Sequence, residues 1–456
     1  MKLAYNVQDK PKFGQLLIFA FQQLLAILAA TIAVPAIVGN GMSQSAALFG
    51  AGVGTLVYLL FTKFKSPVFL GSSFAFLGSM FAAFAGAASA EAGYAGIILG
   101  AIFAGLVYVV IALIVKIAGV KWINKLMPAV VIGPTVAIIG LSLAGNAIGD
   151  LSLGKVLDKE GASVANPYLC IICGIVTLIT VIICSVYGKK MLKLIPFIIG
   201  ILAGYAVAAI ITIIGINTGN DSLKIIDFSV FENMKWFAIP DFTFITALDG
   251  IKAITGKYIA TVAVAYVPVA FVVFAEHIAD HKNLSTVIES DLLEEPGLHR
   301  TLLGDGIGSM AGAFFGGCPN TTYGESVGCV AITGNASIVT ILTTAIMAVV
   351  ISFFGPFVTF LSTIPNCVMG GVCMTLYGFI AVSGLKMLQP VDLNENKNLF
   401  VAAVILIAGI GGFTLTFGKV TLTEVACALI LGIIVNLIVS GKKDERVEVV
   451  ETNTAE

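Results

Sequence analysis

Charge is what this chain lacks. Its 456 residues include 25 Lys and Arg and 26 Asp and Glu, 11% in all, where a soluble domain carries about 25%. With 58% hydrophobic residues and a mean hydropathy of +1.02, this excludes an ordinary cytosolic enzyme and a disordered chain. The net charge of −1 leaves no basic surplus to neutralise phosphates, so no nucleic-acid partner is expected. Ser/His, paired-aspartate and HExxH constellations are missing too, which argues against an enzyme. The start, Met1 to Lys12, is polar and runs straight into a long apolar span, so no signal peptide is expected. The eight cysteines do not spell a disulfide framework. Cys170-x-x-Cys173 has no second pair beside it and reads as two small apolar residues on a spanning helix.

What the chain has is long charge-free tracts. Residues 13–62, 126–149, 161–188, 194–220 and 326–385 carry no Asp, Glu, Lys or Arg. Each tract holds at least one span of roughly 20 residues, which makes this an all-α polytopic membrane protein. Splitting the tracts at Gly, Pro, Asn and charge clusters predicts about fourteen segments: 14–39, 45–62, 68–83, 95–115, 127–147, 166–187, 195–217, 258–280, 302–317, 322–333, 338–362, 367–385, 398–418 and 421–440. The third and tenth are short and broken by Gly and Ser. Fourteen spans put both termini on one side, with eighteen Lys and Arg there and seven opposite. The positive-inside rule then places both ends in the cytoplasm. The expected organisation is a tail (1–12), a first seven-segment unit (13–217), an external loop (218–257) that reads as a solvated cap, an inverted second unit (258–440) and a tail (441–456).

The two units share a pattern. Gly52-Val-Gly54-Thr55, Pro67 and Gly71-Ser-Ser-Phe74 in the first answer to Gly306-Ile-Gly308-Ser309, Pro319 and Gly324-Glu-Ser-Val327 in the second, at offsets of 254 and 253. Seven spans per unit make the units face the membrane in opposite senses, as in secondary transporters. The broken segments three and ten fall at matching positions. Their backbone cannot be left unpaired in lipid, so they must line a protein-enclosed cavity.

Ionisable groups inside spans are costly and point to function. Glu276 follows eighteen uncharged residues, and Asp280 lies one turn on, on the same helical face. Glu325 opens segment ten, directly after Tyr323-Gly324. Glu424 begins the last span near Lys419 and reads as an interface residue at a helix N-terminus. His277 and His281 have i, i+4 spacing but no third ligand, so no metal is expected. His299 sits in a charged loop and reads as solvated. Two carboxylates that accept hydrogen bonds, and broken helix ends that donate N–H groups, suit a planar ring of alternating N–H and C=O groups such as uracil or xanthine. Phe74, Phe76 and Tyr323 offer an apolar wall.

Two stretches carry a resemblance: Phe274-Ala-Glu-His-Ile-Ala-Asp280 and Pro319-Asn-Thr-Thr-Tyr-Gly-Glu-Ser-Val-Gly328. With Gly71-Ser-Ser-Phe-Ala-Phe76, Pro296-Gly-Leu-His-Arg300 and Met369-Gly-Gly-Val372, they resemble the nucleobase–cation symporter family, also called nucleobase–ascorbate transporters, and within it the uracil permease branch. The similarity runs from about residue 10 to 440. It implies a core domain of segments 1–4 and 8–11 and a gate domain of segments 5–7 and 12–14 that also dimerises. It further implies short antiparallel strands in segments three and ten that meet at the substrate. By position, the family's substrate carboxylates fall on Glu276 and Glu325, its backbone donors on Phe74 and Gly324, small residues on Ala30 and Ser73, and a gate aromatic on Tyr377. Three positions depart from the pattern. Asp280 stands where some uracil permeases carry a histidine implicated in proton coupling. Glu325-Ser326-Val-Gly328 replaces the usual Glu-Asn-x-Gly, and Thr333-Gly334 replaces Thr-Arg.

The combined expectation is a proton-coupled uracil importer of the plasma membrane, with no cofactor beyond the proton. Glu276, Glu325 and Asp280 are the candidates for coupling. Alternatives are a xanthine or other purine carrier and a sodium-coupled carrier. The orientation predicts that a single cysteine placed at Asn220 reacts with an impermeant maleimide on intact cells, whereas one at Asn394 reacts only after permeabilisation. The reverse pattern would invert the topology.

Overall fold

Apolar chain that must hold its own backbone hydrogen bonds in lipid forms helices. The computed structural model describes residues 3–119, 122, 127–189, 191–417 and 420–440. The first half runs α1 (Phe13–Val38), α2 (Gln44–Phe61), β1 (Leu70–Ser72), α3 (Leu77–Gly86), α4 (Ala90–Ala118), α5 (Ala129–Ser142, prolonged by Ala144–Asp150), α6 (Pro167–Tyr187) and α7 (Pro196–Thr218). The second runs α8 (Gly256–Ile288), α9 (Leu298–Gly316), β2 (Asn320–Thr322), α10 (Gly324–Thr333), α11 (Ile338–Ile351), α12 (Asn366–Met387) and α13 (Asn396–Ile410). A hairpin of β3 (Leu415–Phe417) and β4 (Val420–Leu422) then leads into α14 (Glu424–Val439). Among the described residues, eight helices are long and apolar enough to span a membrane, with shorter apolar helices at Phe74–Gly86, α11, α13 and α14. The protein is a multi-pass membrane protein.

Helix starts follow local chemistry. The hydroxyls of Ser43, Ser89, Thr255 and Thr423 each accept a hydrogen bond from a first-turn N–H, and Asn166 does the same ahead of Pro167. Helix packing follows small residues. On α9, Gly304, Gly308, Gly312 and Gly316 repeat every fourth position and lie against α2. A Cβ on Gly54 would sit 2.7 Å from the Gly308 carbonyl oxygen, and one on Gly308 2.8 Å from the Gly54 carbonyl oxygen. The two backbones touch along this seam, which only glycine permits.

The seam holds two strands in mid-protein. β1 pairs antiparallel with β2 in the register Leu70–Thr322, Gly71–Thr321, Ser72–Asn320. Both strands are buried, and each satisfies backbone groups that the other leaves open. The helices around them gather in two groups. One holds α2, α4, α8, α9 and α11; the other holds α5, α6, α7, α12, α13 and α14.

Several expectations need correction. The strands stand at an offset of 250, so Phe74 answers to Gly324, and the Gly71–Gly324 match by residue type was three positions out. The eighth segment does not end at 280. α8 continues to Ile288 because His277, His281 and Leu284 still face a buried interior, so Asp280 is inside the helix rather than at its boundary. Segment eleven divides at residues 352–354, where Phe354 precedes Gly355 and Pro356 at the start of a separate helix, Gly355–Thr363. The β3–β4 hairpin lay inside what the pattern assigned to two spans. The tail 441–456 and Lys419, named beside Glu424, lie outside the described residues.

The seam makes Gly308→Leu fatal to folding, since a side chain there must push two backbones apart at a cost of more than about 3 kcal/mol. Gly378→Ala, which meets nothing within 4 Å, serves as its control. Fluorescence-detected size exclusion should show a monodisperse peak for the control and none for Gly308→Leu. A normal peak for Gly308→Leu would contradict the packing.

Candidate substrate site

The site is built by α8 and by the two strand–helix breaks. Helical spacing sorts the α8 side chains. Glu276, Ala279, Asp280 and Asn283 face a cavity of about 410 Å³, a size suited to a small organic ligand. His277 and His281 face the opposite way and are fully buried. His277 joins α8 to α9, with Nδ1 2.7 Å from Asp305 Oδ2 and Nε2 2.9 Å from Thr301 Oγ1. His281 joins α8 to α2: its Nδ1–H donates to the His277 carbonyl at 2.8 Å, which leaves Nε2 to bond the Tyr58 hydroxyl at 2.7 Å. Each ring nitrogen is thus engaged, and three of the four bonds hold α8 to α2 or α9. Among the described residues no group of three His, Cys, Asp or Glu is arranged for a metal ion.

The breaks bring backbone to the same cavity. After β1 the chain turns at Ser73 into a short turn of helix, Phe74–Phe76, with no side chain capping it. After β2 it turns at Tyr323 into α10, again without a side-chain cap. Ser73, Phe74, Tyr323, Gly324 and Glu325 all line the cavity. Two uncapped helix starts therefore present N–H groups to one space. Asp280 is held beside the second. Thr322 Oγ1 donates to Asp280 Oδ2 at 2.9 Å, and a Cβ on Gly324 would lie 3.8 Å from Asp280 Oδ1.

Tyr323 locks the crossing. Its hydroxyl donates to the Ser72 carbonyl at 2.6 Å, and its ring occupies the room above Gly71 that any Cβ there would need. Ser326, one of the departures from the family pattern, points away from the cavity. Its hydroxyl accepts from Gln23 Nε2 at 2.6 Å and from the Phe69 N–H at 3.0 Å, tying the start of α10 to α1 and to the approach to β1.

Of the residues named from sequence, Glu276, Glu325, Asp280, Phe74, Gly324, Ser73 and Tyr323 meet at the cavity. Tyr377 stands behind Phe74, their rings edge to face with centroids 5.9 Å apart. Ala30 is buried in α1 and is not among the lining residues. The cavity adds Asn283, Thr321, Thr322, Phe379 and Ser383. Asn283 was open to inference, since it lies seven residues beyond Glu276 on the same face. Phe379 and Ser383 sit on an evenly apolar helix and carried no signal. Glu424 lines a second cavity, of about 390 Å³, whose lining shares Phe74, Ala75 and Ile139 with the first. Cys170, Cys173 and Cys367 are free and buried.

A family model described as the permease family matches residues 14–418. The uracil permease of Bacillus caldolyticus is 39% identical over 458 residues, covering 100% of this chain and 99% of that protein. The uracil permease of Bacillus subtilis (strain 168) is 37% identical, covering 99% and 98%. That of Escherichia coli (strain K12) is 34% identical, covering 95% and 94%. Among solved structures, the transmembrane domain of a cyanobacterium bicarbonate transporter superposes with a TM-score of 0.62 at 17% identity, covering 96% of this chain and 100% of that one. Murine Solute Carrier 26 family member A9, an anion transporter in the inward-facing state, does so with a TM-score of 0.65 at 12% identity, covering 95% and 69%. The last two share the fold alone.

Ser326→Ala removes the acceptor of the buried Phe69 N–H and leaves Gln23 Nε2 only its longer bond, 3.5 Å, to the Ser326 carbonyl, with the cavity wall intact. It should cost about 1–3 kcal/mol, read as a lowered thermal unfolding midpoint of the purified protein. An unchanged midpoint would show that the Gln23–Ser326–Phe69 link does not hold the break.

Proposed function

The chain belongs to the nucleobase–ascorbate transporter family, and from that premise we propose that it imports uracil across the plasma membrane together with protons. The observation that carries the reading is the meeting of Glu276, Glu325 and two uncapped helix starts in one cavity. Uracil is a planar ring whose edge alternates N–H and C=O. Its N–H groups would donate to Glu276 and Glu325, and its carbonyls would accept from the N–H groups of Phe74 and Gly324. Phe74 would close on one ring face. The names of the relatives at 34–39% identity favour uracil over xanthine.

A carboxylate in this setting is stable only when neutralised or fully hydrogen-bonded. Glu276 and Glu325 would therefore take a proton with the substrate and release it on the far side. Asp280, hydrogen-bonded to Thr322, would be the third member of the coupling set.

In this reading the helices α1–α14 would make up fourteen membrane segments in a 7+7 inverted repeat. The core domain would be α1–α4 with α8–α11, and the gate α5–α7 with α12–α14, the gate also forming a homodimer. The site lies between the groups. Asn283 and Met387 line the cavity and neighbour Lys282 and Lys386 in the chain, which supports reading the cavity as open to the lysine-rich side expected in the cytoplasm. Phe74, Ala75 and Ile139 line both this cavity and the second one beside Glu424. Motion of the core against the gate would shift these residues and expose the site in turn to each side.

Proteoliposomes containing this protein, with equal sodium on both sides, should concentrate labelled uracil under an inward proton gradient and lose it on addition of a protonophore. Glu276→Gln and Glu325→Gln, shown to be folded, should each reduce accumulation at least tenfold. Folded variants that still concentrate uracil would overturn the assignment of the carboxylates. Uptake driven by sodium, or competed by xanthine and not by uracil, would overturn the coupling ion or the base.

A further inference from the structure

Beside the strand crossing, among α4, α9 and β2, lies a second and much smaller space. It measures about 10 Å³, room for a single water or small ion. Every residue lining it is buried: Phe76, Ala104, Gly105 and Tyr108, then Asp305, Gly306, Ser309, Asn320 and Thr321. Four of these carry a buried side-chain oxygen with no hydrogen-bond partner: Asp305 Oδ1, Ser309 Oγ, Asn320 Oδ1 and Tyr108 OH. Buried polar atoms are ordinarily satisfied, and four such atoms around one small space call for a common partner.

The chemistry of the set narrows that partner. All four atoms are oxygens. Asp305 and Ser309 are four residues apart, on one face of α9. The Asn320 amide is oriented by its own Nδ2–H, which donates to the Gly50 carbonyl at 2.9 Å, so Oδ1 is the free atom and can only accept. Ionised Asp305 is likewise an acceptor. Its other oxygen, Oδ2, is hydrogen-bonded to His277 Nδ1 at 2.7 Å. A water could donate to both acceptors but would leave the buried carboxylate charge with little compensation. A small cation satisfies the oxygens and offsets the charge together. Calcium would take six to eight oxygens, usually several from carboxylates, and magnesium holds its waters; neither matches four side-chain oxygens with one carboxylate in so small a space.

We propose that Asp305, Ser309, Asn320 and Tyr108 form a binding site for one sodium ion. Tyr108 brings α4 to the ion, Asp305 and Ser309 bring α9, and Asn320 brings the first residue of β2. The ion therefore ties two helices to the strand crossing. Thr321 lines both this space and the large cavity, so the ion sits one residue away from the uracil site. It is distinct from the carboxylates assigned to the proton, and it acts by holding β2 in place.

The test needs no transported solute, so its outcome is independent of the uracil assignment. Thermal unfolding of the full-length purified protein would be followed with a thiol-reactive fluorophore, which reports the eight buried free cysteines as they open. Sodium chloride would be exchanged against choline chloride at constant chloride, with potassium chloride as a parallel series. The expected result is a saturable rise in the unfolding midpoint with sodium and none with potassium. Ser309→Ala, a change that removes one ligand from a helix rich in small residues, should need at least threefold more sodium for half the effect, and Asp305→Asn should lose the effect. Coincident sodium, potassium and choline curves, as a bound water alone would give, overturn the proposal. So does a Ser309→Ala titration that matches the wild type.

Discussion

Two short strands in the middle of a membrane protein can exist only if they satisfy each other. Lipid offers no partner for an open N–H or C=O, so β1 and β2 pair at Leu70–Thr322, Gly71–Thr321 and Ser72–Asn320 and remain buried. Much else in the molecule serves that crossing. The glycine seam between α2 and α9 brings the two chain passages near enough to pair. Tyr323 lies over Gly71 and bonds Ser72, and Ser326 anchors the far side through Gln23 and Phe69. Both passages leave their three-residue strands as helix starts with no side-chain cap, and both starts line the cavity.

Around the crossing, α8 does two jobs with alternate faces. Glu276 and Asp280 look into the cavity, while His277 and His281, each one position further along, bind α9 and α2. The acidic face is open to the cavity, while the histidine face is occupied with packing.

How much of this was legible in the sequence depends on the kind of signal. Intramembrane charge is costly, so Glu276 and Glu325 stood out against long uncharged tracts, and Glu276 drew Asp280 with it by helical spacing. The broken segments were visible because glycine and serine interrupt an apolar pattern. Their register was not. Matching by residue type aligned Gly71 with Gly324, whereas the two strands begin 250 residues apart, which sets Phe74 at the first helix start against Gly324 at the second. The length of α8 was underestimated because polar side chains normally end a span, and here His281 is buried against Tyr58. Phe379 and Ser383 gave no signal, since what makes them lining residues is the packing of a distant helix.

The central claim is that a nucleobase ring bridges the two strand ends. A cryo-electron microscopy map of the purified protein with saturating uracil tests it most directly. The account predicts a planar density between Phe74 and Gly324, within hydrogen-bond reach of Glu276 and Glu325. Density in the cavity beside Glu424, or a ring that contacts neither glutamate, would contradict it.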